Sequence, residues 1–355
     1  MNPAKKPFFL RKLILVICIP LAIAAIVSWR LAEPDPQTIT RAAVDVGSGG
    51  LKVTVAKVDP LSQKIHKILY AKEHSVPLKR DLQVGGKSEF SEKIQQVALE
   101  TIAQLQKDVA SHRPSEWRGI ATAASRQAKN AQEMFDRIEQ ELGVSISIIS
   151  QNEEGRLGFM TAAAVSNVAP EQLISFDSGS GSFQLSTLID GQLEVVEGQL
   201  GHIPSLEALM EIRGQTLDLQ TPPQPVTLEE ADQLVVMLQK KLPSLSEAFA
   251  YKIKDSNAKI VGIGNENFIF AMGAAGVGKN TYTKEELRTA IEKYAGKPAE
   301  QMSKFSKPHE AVLGMVLLFS IMDGMGIDQI TYCYANGSCE GLLVDTNYWS
   351  DTNVG

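Results

Sequence analysis

The stretch Ala42-Ala43-Val44-Asp45-Val46-Gly47-Ser48-Gly49-Gly50 decides the fold, because a near copy of it recurs at Leu173-Ile174-Ser175-Phe176-Asp177-Ser178-Gly179-Ser180-Gly181-Ser182. Each copy starts as an apolar strand, places an acid at the strand's end and breaks into a glycine-rich turn. A second strand follows each turn: Leu51 to Val58 alternates apolar and polar residues, and Phe183 to Ile189 does the same work in the second copy. Glycine carries no Cβ, so the backbone N–H groups of such a turn can close on an anion. Two hairpins of this kind predict two similar halves whose tips face one another across a cleft.

Outward from these hairpins the chain alternates strands and helices, which argues an α/β fold. Helical spacing covers Glu89–Val109, Ala131–Leu142, Glu153–Val165, Ser205–Ile212, Leu228–Lys241 and Lys284–Tyr294, and the apolar Glu310–Met325 reads as a buried helix. Gly119–Ala123, Val144–Ile149, Lys259–Ile263 and Gln329–Tyr334 read as strands. Asp190-Gly191 is a two-residue hairpin signal. The expected organisation is a first domain of residues 41–150 plus 309–345 and a second domain of residues 151–308.

The composition suits a large core, with 44% hydrophobic and 21% charged residues in 355. The net charge of −6 speaks against nucleic acid as a partner, since non-specific binding needs cations for the phosphates. Lys5, Lys6, Arg11 and Lys12 precede an apolar run, Leu13 to Trp29, that ends at Arg30 and Glu33. Its length and the excess of positive charge before it predict a single transmembrane helix in the inner membrane, with residues 1–12 cytoplasmic and all that follows the 30–40 linker in the periplasm. Ala22-Ile23-Ala24 offers the alternative, a cleaved signal that releases the protein to the periplasm. Cleavage there would leave an oddly apolar new N-terminus. Cys333 and Cys339 flank a turn-forming stretch, and an oxidising compartment would allow a disulfide between them.

The candidate chemistry is that of phosphoryl groups. Gly47, Ser48 and Gly49 in the first turn, and Gly179, Ser180, Gly181 and Ser182 in the second, can cradle phosphate oxygens. Asp45 and Asp177, at the strand ends, are candidate holders of Mg2+, which prefers oxygen ligands and keeps several waters. Arg126, just after the strand Gly119–Ala123, can clamp a phosphate. Glu154 lies in Gln151-Asn152-Glu153-Glu154-Gly155-Arg156, where a strand gives way to a helix, and a carboxylate there can orient a water as general base. The five histidines show no metal-ligand spacing.

Taken in order, these motifs resemble the Ppx/GppA phosphatases. Asp45-Val46-Gly47-Ser48 is similar to their first phosphate motif, Gly119–Asn130 (GIATAASRQAKN) to their arginine segment, and Ile148–Leu157 (IISQNEEGRL) to their glutamate segment. Leu173–Leu185 resembles the second phosphate motif, and His309–Leu343 the C-terminal segment. The resemblance implies a two-domain, actin-like ATPase (ribonuclease H-like) fold and Mg2+-dependent hydrolysis of terminal phosphate from polyphosphate or from a phosphorylated nucleotide such as guanosine pentaphosphate. By position it makes Glu154 the catalytic glutamate, Arg126 the phosphate-binding arginine and Asp45 and Asp177 the Mg2+-associated acids, and it implies a homodimer. The chain departs from the pattern at Gly49-Gly50, Ser180, Phe183-Gln184, Gly155 and Cys339. Gln184 removes an acid near the metal. These departures leave open a second reading, a sensor or scaffold domain that binds phosphate compounds without turning them over.

Sequencing the N-terminus of the membrane fraction tests the targeting segment. An anchor leaves the chain starting at or near Met1; a chain that starts at Ala25 contradicts it.

Overall fold

The protein was analysed as a computed structural model, which describes residues 38–83, 88–217, 223–264, 266–275 and 279–349. The run Leu13–Trp29 lies outside them. Among the described residues no helix is long and apolar enough to cross a membrane. The described residues from Ile39 to Trp349 belong to one compact unit.

Five strands build the first sheet: β1 (Ile39–Val46), β2 (Gly50–Asp59), β3 (Lys64–Ser75), β4 (Glu116–Ala121) and β5 (Ser145–Ile148). Their order is β3-β2-β1-β4-β5, with β1 antiparallel to β2 and parallel to β4. Six strands build the second: β6 (Leu173–Ser178), β7 (Phe183–Ile189), β8 (Gln192–Gly198), β9 (Lys259–Ile263), β10 (Thr281–Thr283) and β11 (Gln329–Tyr332), in the order β10-β11-β9-β6-β7-β8. Here β6 is antiparallel to β7 and parallel to β9. The duplication expected from the two hairpins is therefore carried by whole sheets. In each, a three-strand meander leads out from a central strand, and parallel strands lie on that strand's other side, where connections need crossover helices.

The helices that bear on the site are α1 (Gln151–Val165), α2 (His202–Ile212), α3 (Lys284–Tyr294), α4 (Ala311–Met325) and α5 (Cys339–Val344). The start of α1 is set by Ser150, whose Oγ accepts the Glu153 N–H at 3.1 Å and satisfies one of the orphan donors of the first turn. Most residues of α4 are buried, which explains its uninterrupted apolar reading.

One boundary needs correction. Residues 309–345 were expected to return to the first half. Instead α4 packs into the core of the second half beside Phe270, Leu234 and Leu287, and β11 pairs with β9. The apolar circumference of α4 needs burial on all sides, and the second half supplies it. The return to the first sheet begins only near Asn336, after which α5 packs with Ala43, Ala56 and Ile120. A second correction concerns the cysteines, which are both free. Cys339 sits in the α5 core while Cys333 packs with Phe159 and Ala335 in another cluster. Strand β3 had no sequence signal, because its residues are largely polar and exposed, as befits an edge strand.

Two close approaches bind α1 in place. A Cβ on Gly155 would stand 2.3 Å from Val195 Cγ1, so the departure from the usual alanine matches a neighbour that fills the space. A Cβ on Gly341, in α5, would stand 2.3 Å from the Leu157 carbonyl, while the Gly341 N–H donates to Thr161 Oγ1 at 2.8 Å. Backbone cannot swing aside as a side chain can. Gly341→Ala should therefore cost about 3 kcal/mol in denaturant unfolding, at the upper end of overpacking losses. An unchanged midpoint would show that the two helices are not in this contact.

Candidate active site

Both glycine turns close in the same way. The Gly47 N–H donates to the Gly50 carbonyl at 2.9 Å, and the Gly179 N–H donates to the Ser182 carbonyl at 3.0 Å. The tips meet: a Cβ on Gly181 would lie 3.4 Å from Ser48 Oγ, and one on Gly49 would lie 3.8 Å from Ser180 Oγ. Behind the second turn, a Cβ on Gly201 would stand 2.7 Å from the Gly181 backbone, so glycine is what lets α2 start directly beneath it.

A cavity of about 250 Å3 opens between the tips. The residues of both glycine turns and the two aspartates line it: Gly47, Ser48 and Gly49; Gly179, Ser180, Gly181 and Ser182; and Asp45 and Asp177. Glu154 lines it as well. Arg126 does not. Its Nη1 donates to Glu154 Oε2 and to the Ile149 carbonyl, each at 3.0 Å, so it stands behind the glutamate rather than in the cleft.

The tandem acids divide. Glu153 accepts from Arg156 (2.8 Å from Nε) and from the Tyr348 hydroxyl at 2.9 Å, and Arg156 also contacts Asp345. Glu153 is thereby tied to the C-terminal segment, and the next residue of the first turn points the other way, into the cleft. One turn further on, a Cβ on Gly158 would lie 3.7 Å from Asp177 Cβ, so α1 runs close past the second aspartate.

The electrostatics follow from burial. Glu154 is pushed up to about 7, first by loss of water and then by Asp177 and Asp45, with Arg126 opposing. Burial pushes Asp177 up to about 6, against Lys52 and with Asp45. Asp45 is raised for the same first reason, although Lys52 and the Ser338 N–H, 3.0 Å away, favour its charge. Lys52 is opposed by burial, yet Asp45, Glu73 and Asp177 hold it above the ordinary lysine value.

Sequence reasoning missed several residues that line the cavity. Lys52 pairs across the ladder with Asp45 on one side and Glu73 on the other, making an acid–base–acid row over β1, β2 and β3. The alternation of β2 placed Lys52 on a face, but the row needed β3, which had no signal. Gln184, which the sequence already marked as an acid lost near the metal, is the matching residue of the second hairpin, opposite Asp177, and its amide donates to Ser182 Oγ at 3.3 Å. Gly337, at φ +68°, lies so close to Asp45 that a Cβ would stand 2.2 Å from its Oδ2. His202 and Glu310 face each other at 3.7 Å on the far wall, with Lys307 nearby.

The donor set fits a magnesium ion in a limited sense. Asp45 and Asp177 are two buried carboxylates short of positive charge, which a divalent cation would relieve. Among the described residues no three His, Cys, Asp or Glu side chains are grouped to hold a metal by themselves. Mg2+ is usually held by one or two carboxylates, with water and phosphate oxygens completing its shell.

Two sheets of duplicated topology with glycine hairpins confronting one another define an actin-like α/β fold. Residues 54–347 match the model of the Ppx/GppA phosphatase family, and the chain belongs to that family. Among solved structures, the Ppx/GppA family member of Aquifex aeolicus is 20% identical with a TM-score of 0.67, covering 89% of this chain and 100% of its own. An exopolyphosphatase from Cytophaga hutchinsonii is 15% identical with a TM-score of 0.64, covering 86% of this chain and 96% of its own. Exopolyphosphatase 1 of Mycobacterium leprae is 30% identical over 97 residues, and that of Mycobacterium tuberculosis 27% over 97 residues. These matches take in 27% of this chain and less than a third of the relatives' length.

A carboxyl raised on folding holds its proton more tightly in the folded state. The stability it lends is complete below the unfolded value and drains away as pH rises toward the folded one. For Glu154 that window runs from about pH 4 to the value near 7. Glu154→Gln should therefore unfold about 3 kcal/mol harder than wild type at about pH 8, and no harder below about pH 4. Parallel pH–stability curves for the two proteins would contradict the burial of this charge.

Proposed function

We propose that the protein hydrolyses the terminal phosphate of polyphosphate or of a phosphorylated nucleotide such as guanosine pentaphosphate, with Glu154 as the general base. The observation that carries this reading is the Glu154 carboxylate standing in the cleft between the paired glycine turns. The terminal phosphate lies between the turns, its oxygens toward their backbone N–H groups. Arg126 holds one oxygen of Glu154, and the other accepts a proton from a water on the far side of the phosphorus. As the water oxygen bonds to phosphorus, the bridging P–O bond breaks, and the shortened chain leaves with the electron pair of that bond. Glu154 then gives up its proton to the released products.

Five acids line the cavity (Asp45, Glu73, Glu154, Asp177 and Glu310) against Lys52 and Lys307. A cleft so acidic repels a polyanion unless cations accompany it. Asp45 and Asp177 would hold Mg2+, whose chemistry there is to neutralise the phosphate oxygens. We further propose that Leu13–Trp29 anchors the protein in the inner membrane and that the substrate is met in the periplasm.

A second reading, binding without turnover, is favoured by Gln184. The second hairpin carries an amide opposite Asp177 and has lost the family's acid. Phosphate release by the full-length protein decides between them. Hydrolysis predicts Mg2+-dependent release from polyphosphate or guanosine pentaphosphate, and a loss of about 10²–10⁴-fold in kcat for Glu154→Gln with little change in KM. An unchanged rate in that variant rejects the base, and calorimetric binding with no release establishes the sensor.

A further inference from the structure

The cavity between the tips has a volume of about 250 Å3. On the polyphosphate reading above, on which this inference rests, a long chain cannot fit and must continue over the surface. Lys307 lines the cavity wall. Three residues earlier stands Lys304, no more than about 11 Å away along the chain.

Lys304 belongs to a group. Its Nζ lies 4.6 Å from the centre of the Tyr294 ring, Lys297 Nζ lies 5.3 Å from it and Lys293 Nζ lies 5.4 Å from it. Lys304 also lies 4.7 Å from the Phe305 ring, which meets Tyr294 edge-on at 5.2 Å. The three ammonium groups thus crowd within about 11 Å of each other, comparable to the screening length of about 8 Å at physiological salt. Among the described residues none of the three is joined to a carboxylate by an ion pair. Glu292 turns instead to Arg288 at 2.8 Å. Lys293, in the last turn of α3, suits the helix dipole, but one cation satisfies that end. Burial alone would raise the Tyr294 phenol, yet Lys304 and Lys293 bring it below its ordinary value. Like charges gathered on an aromatic platform, with no ion pair to a carboxylate among the described residues, leave a site that an anion completes.

We propose that Lys293, Lys297 and Lys304 form an anion-binding site, outside the cleft, for the part of a phosphate chain that leaves past Lys307. It favours long polyphosphate over short phosphate compounds and adds affinity without touching the reacting phosphorus.

The test compares full-length Glu154→Gln with the same protein carrying Lys293→Ala and Lys297→Ala. Lys304 is kept because its Nζ donates to the Gly273 carbonyl at 2.8 Å. Calorimetry with long-chain polyphosphate should show binding weakened roughly tenfold, narrowing at high salt, while tripolyphosphate binding is unchanged. Lys293→Arg with Lys297→Arg should restore it. Equal long-chain affinity in the variant and its parent overturns the site. So does a variant that loses binding to phosphatidylglycerol vesicles but not to polyphosphate, which would make the lysines a lipid contact. If wild-type protein releases no phosphate while the affinity difference remains, the site stands and the hydrolytic reading falls.

Discussion

Three carboxylates, Asp45, Glu154 and Asp177, share one poorly solvated cleft, and the rest of the structure is arranged around that unfavourable concentration of charge. Desolvation raises all three, and each aspartate raises Glu154 further. Lys52 is the cation that opposes this for the aspartates, and Arg126 opposes it for Glu154. Neither is enough to return the acids to their ordinary range. A site held in that condition is poised to gain from a ligand that brings positive charge.

Holding the acids there takes rigid support from three directions. The glycine turns bring their tips together because no side chain intervenes at Gly49, Gly181 or Gly201. Helix α1 is pinned by its Ser150 cap, by Glu153 and Arg156, which meet Tyr348 and Asp345 of the C-terminal segment, and by α5 packed at Gly341. The returning C-terminal segment supplies the last contact. Asn336 Nδ2 donates to the Val53 carbonyl at 2.8 Å, and buried Glu340 accepts the Asn336 N–H at 3.0 Å. Together they lay Gly337 and the Ser338 N–H against Asp45. Glu340 is itself pushed up to about 7 by burial, another acid kept inside for its hydrogen bonds.

Much of this was legible from residue order alone. The repeated strand, acid and glycine turn announced both the duplicated sheets and the lining of the cleft, because glycine and an acid at a strand end are local signals. The tandem Glu153-Glu154 announced a carboxylate in the cleft. What stayed hidden was long-range. Lys52 looked like any polar residue of an alternating strand until β3 brought Glu73 beside it. Arg126 looked like a phosphate clamp, and its engagement with Glu154 and the Ile149 carbonyl depends on how two strand ends meet. Helix α4 was placed with the wrong half because its apolar residues say that it is buried but not against which sheet. The Gly337–Asp45 approach joins residues far apart in sequence, and no local pattern marks it.

The crowding of these carboxylates is most directly tested by following the side-chain carboxyl carbons of the full-length protein by NMR as pH is varied. Glu154 should titrate near 7, and Asp177→Asn should lower that value by removing a neighbouring charge. A Glu154 that titrates in the ordinary glutamate range, near about 4.3, and ignores the change at position 177 would contradict the shared, desolvated cleft.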